Sequence, residues 1–378
     1  MVTNNYLSTV LKRLSSNYMD KKKKNIIISG IAIFLAIILI SVCLHDTTPI
    51  ETVGATRIIT DMGGNQVQIP VKVNSAVITC CGGASQEFAV LGAQDIVIGL
   101  PKKCISDNLR TIIPKFADTP DVGSFSDLNL EDLLALNPDI VVASAGASAK
   151  EGNGRIKAAG IPVVEIYTGG ATLETLLDEY EMMGEVLGKE EVAHKLVSYW
   201  NEKLAFVKGR TSHIPVSERK TVYYMTGGIL TACGGKWGEE LIGAAGGINV
   251  VNTLPSGSDI SVEEILKWNP DVIITRSNGE ASYNVEGVLS NPQLSDIKAV
   301  KDKEVYDGPV GTFWWDRPSP EAALAVLWMG TTLYPEEFED IIIEEEVRSF
   351  YLEYYSYHLT DDEIKHILTP EQRGYGKK

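Results

Sequence analysis

The stretch GTFWWDRPSPE, beginning at Gly311, concentrates chemistry suited to holding a solute. Trp314 and Trp315 offer flat apolar faces for a macrocycle or chelate, Arg317 offers a forked donor, and Pro318 and Pro320 stiffen the approach to a helix. Its usual alternative is structural, with one indole in the core and Arg317 paired to Asp316. Two further stretches, CGGASQEFAVLGA from Cys81 and CGGKWGEELIGAA from Cys233, each set a glycine turn before a helical pattern and align Glu87 with Glu239. Backbone N–H groups at such a helix start can hold an anion, which adds Cys81, Gly82, Gly83, Cys233, Gly234 and Trp237 to the candidates. A tight turn with no ligand role would use the same glycines. Cys81 and Cys233 would serve as soft ligands if they face each other, and as buried apolar groups otherwise.

A second echo concerns acids. DLNLEDLLALNPDIVV from Asp127 and DISVEEILKWNPDVII from Asp259 match at a constant offset. Ser261 with Glu264 has the form of a capping box, Asn129 with Asp132 stands in its place in the first copy, and Pro138 and Pro270 keep both helices short. Glu131 and Glu263, one position earlier than the capping acids, are predicted to point to solvent. Stabilisation of a helix N-terminus explains either one alone; two equivalent acids on two equivalent helices suit a two-fold symmetric partner.

These residues need elements to position them. A glycine-bearing hairpin is expected in RIITDMGGNQVQIP, then strands near 76–80, 95–100, 140–146 and 161–167 alternating with helices. Two connecting helices broken near Gly188 lead to a second series of strands near 221–227, 272–279 and 304–308, and the chain ends in helix from Ser319 through Tyr354. The expected class is α/β: two similar lobes with mainly parallel sheets, joined by a long helix, with the ligand cleft between them. The boundaries read as 1–25 cytoplasmic, 26–44 signal or anchor, 45–56 tether, 57–170 first lobe, 171–209 connecting helices, 210–335 second lobe and 336–378 helical tail. Ligands gather outside the carboxyl ends of strands in such sheets, which adds Ser144 and Arg276 to the site candidates.

The chain has 378 residues and a formal charge of −16, which argues against a nucleic-acid partner. Its five histidines, His45, His194, His213, His358 and His366, fall away from the expected cleft, so no bare metal site and no resident cofactor is expected. The five cysteines do not read as a disulfide framework. No nucleophile elbow, phosphate loop, zinc-protease helix or dinucleotide fingerprint is evident, and the chain is not read as an enzyme. A two-lobed metal chelatase or nitrogenase-like cofactor scaffold is the competing class.

At the N-terminus, Lys21 to Lys24 precede an uncharged apolar run over 26–44, long enough to cross a bilayer, with the bulk of the chain outside the cytoplasm. Translation from Met1 or Met19 is compatible with this. The run ends at ISVC, so Cys43 is a lipidation candidate; Val42 departs from the small residue expected there, and an uncleaved anchor stays equally open.

From Arg57 to about Leu368 the chain resembles the extracytoplasmic solute-binding proteins of ABC importers for iron-siderophore, haem, cobalamin and some oxyanions. The motifs are TDMGGNQVQIP, VLGAQDIVIGL, VGSFSDLNLEDLLALNPDIVV, AAGIPVV, LIGAAGGINVV, SVEEILKWNPDVII and DRPSPEAAL. The resemblance implies a chelate, corrinoid or oxyanion as solute and a membrane-embedded permease dimer with its ATPase as partner. It also implies that Glu131 and Glu263 dock onto permease arginines.

Overall fold

A computed structural model describes residues 54–370, apart from 125–126, 168–169, 227–232, 253, 256 and 277–283. The apolar run 26–44 and Cys43 lie outside the described residues. No described helix is long and apolar enough to cross a membrane.

An antiparallel hairpin of β1 (Thr56–Thr60) and β2 (Gln66–Pro70) comes first, with Ile59, Val67 and Ile69 turned inward. The first lobe is built on β3 (Ala76–Ile78), β4 (Val97–Gly99), β5 (Ile140–Ser144) and β6 (Val163–Ile166), all parallel in the order β4-β3-β5-β6. The second carries β7 (Thr221–Tyr224), β8 (Ile248–Asn249), β9 (Val272–Thr275) and β10 (Val305–Asp307), parallel in the order β10-β9-β7-β8. Both sheets therefore run second, first, third, fourth: one topology written twice. β5 and β9 are Val- and Ile-rich and buried, as strands of sheets covered on both faces must be.

The strand order reverses between β3 and β5 in one lobe and between β7 and β9 in the other, and ligands collect at such switch points. Thr79 follows β3, Ser144 ends β5, and Arg276 follows β9.

Helix Leu173–Leu187 opens on a Thr172–Thr175 capping box and stops at Gly188 in the left-handed region, φ 64°. Helix Glu190–Thr211 then runs 22 residues, about 33 Å at the usual rise per residue. Its buried Trp200 donates to the Pro320 carbonyl at 3.2 Å, tying the connector to the candidate site segment. The expected single helical run in the tail is corrected: Ala322–Leu333 and Ile343–Tyr355 are separate, with Pro335 between them where a helix would lose a backbone donor.

Candidate functional site

The second-lobe candidates converge on a residue that sequence reasoning had treated only as a possible partner of Arg317. Asp316 is 1% exposed; its Oδ2 pairs with Arg276 Nη1 at 3.0 Å and lies 3.7 Å from Arg317 Nε. The Asp316 carbonyl accepts Trp237 Nε1–H at 3.0 Å and faces Cys233 Sγ at 3.8 Å. Arg276 stacks over the half-buried Trp314 ring, 4.8 Å from its centroid, a cation–π arrangement. Cys233, Trp237, Arg276, Trp314 and Arg317 are thus gathered around one acid.

Several expectations change. Trp237 and Cys233 are buried and brace Asp316 rather than offering themselves to solvent; burial, with Asp316 adding, pushes the Cys233 thiol up to about 12. Gly234 is needed for close approach, since a Cβ there would meet the Leu254 carbonyl oxygen. Cys81 does not face Cys233. It is joined to Cys104 as a disulfide with Cα atoms 5.3 Å apart, which corrects its reading as a soft ligand or a buried apolar group; Cys80 and Cys233 are free and buried. The bridge links the turn after β3 to the turn after β4, two loops that open on the same end of the first sheet.

Trp315 is the main correction. It is fully buried, and its Nε1–H donates to Glu321 Oε2 at 2.9 Å, so it presents no face to a solute. Glu321 also accepts the Thr312 N–H at 3.1 Å and the hydroxyls of Tyr351 and Tyr355 at 3.1 and 2.9 Å. Burial raises its carboxyl above the ordinary range, and the hydrogen bonds from Thr312, Trp315 and Tyr355 oppose that. A Cβ at Gly311 would overlap Glu321 Oε2, which explains the glycine. This acid, also missed in the sequence, anchors the loop from below.

From the first lobe, Gln86 Nε2–H and Ser106 Oγ–H donate to the Thr312 carbonyl at 3.0 and 2.7 Å, and Asn108 Nδ2–H donates to Gly311 O at 2.9 Å. Gly82 and Gly83 take φ values of 89° and 96°, and a Cβ on Gly83 would lie 2.8 Å from the Pro318 carbonyl oxygen. The loop 311–321 is therefore a joint between lobes. Ser144 ends β5, with its Oγ accepting the Gly146 N–H at 3.1 Å. Glu87 and Glu239, equivalent in sequence, differ in place: Glu239 is exposed, whereas Glu87 is 2% exposed and its carboxyl is raised by burial and by the Glu179 charge.

Glu131 and Glu263 lie in the first turns of helices Leu130–Leu136 and Val262–Trp268, both exposed. Asn129 caps the first helix through the Asp132 N–H, and the Ser261–Glu264 capping box forms on the second. Both helices end at an asparagine in the left-handed region, Asn137 at φ 47° and Asn269 at φ 45°. Among the described residues, no group of three or more His, Cys, Asp or Glu side chains is placed to hold a metal ion.

A family model described as periplasmic binding protein matches residues 83–310, more than half of the chain. The molybdate-binding protein MolA of Haemophilus influenzae is 30% identical over 327 residues, covering 80% of this chain and 91% of that protein. Its molybdate-bound structure superposes with a TM-score of 0.70 at 27% identity, over 80% of this chain and 99% of that one. A periplasmic solute-binding protein from Veillonella parvula gives a TM-score of 0.73 at 30% identity, over 83% and 97% of the two chains. A vitamin B12-binding protein from Vibrio parahaemolyticus is 26% identical over 61% of this chain and 81% of its own length. The chain belongs to the periplasmic binding protein family, the extracytoplasmic solute-binding components of ABC import systems.

Proposed function

We propose that this protein captures an anionic solute, an oxyanion or an acidic metal chelate, and presents it to a dimeric ABC permease and its ATPase. One observation carries the choice of solute: two guanidiniums, Arg276 and Arg317, share the single buried carboxylate of Asp316. The cluster keeps a net positive charge where water is partly excluded, and an anion gains most in such a setting. Arg276 Nε, Asp316 Oδ1 and Ser319 Oγ are buried without hydrogen-bond partners among the described residues, and the two donors suit solute oxygens.

With Trp315 in the core and Trp314 lying against Arg276, little open indole surface is left for a broad corrinoid face. A compact anion fits better, and the name of the similar MolA points the same way. The turn at Cys81, Gly82 and Gly83 and the strand end at Ser144 form the first-lobe wall of the same cleft in this reading. Glu131 and Glu263 dock the loaded protein on the permease, and the segment 26–44 holds it at the membrane, either as an uncleaved anchor or through lipid on Cys43.

The test is calorimetric titration of the purified protein with molybdate, using ferric citrate and vitamin B12 as comparators. Molybdate is expected to bind, and Arg317→Gln to weaken it about tenfold, the worth of one charged hydrogen bond, with unfolding unchanged. Binding of vitamin B12 alone, or molybdate affinity indifferent to Arg317→Gln, would remove the proposal.

A further inference from the structure

The two docking helices share more than their glutamates. Over residues 129–140 and 261–272 the pattern of exposed, intermediate and buried positions is the same at every step. The sequences inside the helices, LEDLLAL and VEEILKW, agree at only two places. One is Glu131 with Glu263. The other is Leu134 with Leu266, which are 38% and 39% exposed.

The buried positions have drifted: Leu133 stands opposite Ile265, and the half-buried Leu136 opposite Trp268. Leucine against isoleucine conserves volume and is readily tolerated by packing, whereas leucine against tryptophan requires different surroundings in the two lobes. Ala135 and Lys267, the residues next after Leu134 and Leu266 and also exposed, differ between the lobes. Of the four exposed positions within each helix, only the glutamate and leucine positions carry the same residue in both lobes.

Residues three apart on a helix are neighbours, so each leucine lies beside its glutamate on one surface. The neighbouring acids are already occupied: Asp132 Oδ2 accepts Asn129 Nδ2–H at 2.5 Å, and Glu264 Oε2 accepts the Ser261 N–H and Oγ–H at 2.8 and 2.9 Å. Each lobe thus presents one carboxylate not used in its cap, and next to it one exposed leucine.

We infer that Leu134 and Leu266 are the apolar half of the permease-docking surface, each entering an apolar pocket beside a basic group on one of two equivalent permease subunits. The inference rests on the docking reading of Glu131 and Glu263. The duplication selects the occupant, because a partner that meets the same glutamate–leucine pair in both lobes must itself offer the same pocket twice. The chemistry divides the work: carboxylates steer and orient, and buried leucine holds.

The experiment measures equilibrium binding of the solute-free protein to its own permease and ATPase in lipid nanodiscs, at low and at high salt. Leu134→Gln with Leu266→Gln keeps good helix formers at exposed positions, so unfolding should be unchanged. Docking should weaken about tenfold or more, and by a similar factor at both salt levels, because apolar burial is little screened. Glu131→Gln with Glu263→Gln should weaken docking chiefly at low salt.

Full binding by the leucine pair alongside a defect in the glutamate pair would overturn the inference and leave the docking reading intact. Full binding by both pairs would remove the docking reading and the inference with it. A defect in the leucine pair alone would remove the glutamate docking reading and overturn the inference in this form, leaving an apolar contact without its charged neighbour.

Discussion

Asp271 and Thr221 exchange hydrogen bonds in both directions. Asp271 Oδ2 accepts the Thr221 N–H and Oγ1–H, each at 2.8 Å, and the Asp271 N–H donates to Thr221 Oγ1 at 3.0 Å. Asp139 repeats the device in the first lobe, taking the N–H groups of Asn74 and Ser75 at 2.7 and 3.1 Å and donating to Ser75 Oγ at 2.9 Å. The doubled phrase Asn-Pro-Asp is therefore a construction: asparagine ends the helix, proline stops it, and aspartate pins the start of the next strand to that of its neighbour.

Asp271→Ala should cost about 2 kcal/mol, the order expected for charged hydrogen bonds lost at a partly buried site. Burial opposes ionisation here, but Lys298 and Thr221 hold the carboxyl below its ordinary range. A lowered folded value means the stabilisation is full at neutral pH and fades as acid protonates the group. Urea unfolding at neutral and acid pH reads both effects, and a variant gap that grows toward acid would contradict the assignment.

How far the sequence carried depends on distance along the chain. The hairpin, the alternation of strands and helices and the helix caps were legible because their determinants lie within a few residues of one another, as at Ser261 and Glu264 or at Gly188. The pinning of β7 by Asp271 was not, since its partner lies 50 residues away. Nor could adjacent Trp314 and Trp315 be told apart: Trp315 is core because its indole meets Glu321, a buried acid that Tyr351 and Tyr355 of the tail also hold, and those two lie 30 and more residues further on. Asp316 was readable as an Arg317 partner but not as a hub, because Arg276 and Trp237 reach it across the second lobe.

Glu87 should make the protein less stable as pH rises. Burial, then the Glu179 charge, holds its carboxyl well above the ordinary range, and its Oε1 has no hydrogen-bond partner among the described residues. In acid both folded and unfolded chains hold the proton. Above the ordinary carboxyl value the unfolded chain releases it first, so stability falls by about 1.4 kcal/mol per pH unit until the folded group also ionises. Glu87→Gln keeps the shape without the titration. Its urea midpoint should match wild type in acid and exceed it increasingly toward neutrality; a constant gap would count against this account.

Asp316 and Arg276 should show strong coupling in a double-mutant cycle. Their side chains are 1% and 12% exposed, so removing either charge strands the other in a poorly solvated place. Breaking such a pair costs about 3–5 kcal/mol, whereas removing both charges together costs far less. Asp316→Asn should therefore destabilise the protein, Arg276→Gln should do the same, and the double variant should recover much of the loss. Arg317, at 35% exposure, keeps access to water, so Arg317→Gln should sit near wild type in stability. Solute binding separates the two roles of the cluster. The double variant is expected to fold well yet bind molybdate weakly, because it has lost the guanidinium stacked on Trp314 and the acid that orients Arg317. Additive destabilisation in the double variant would show that the buried pair is not the unit that organises the second-lobe wall. Full molybdate affinity in that variant would show that the anion is held elsewhere.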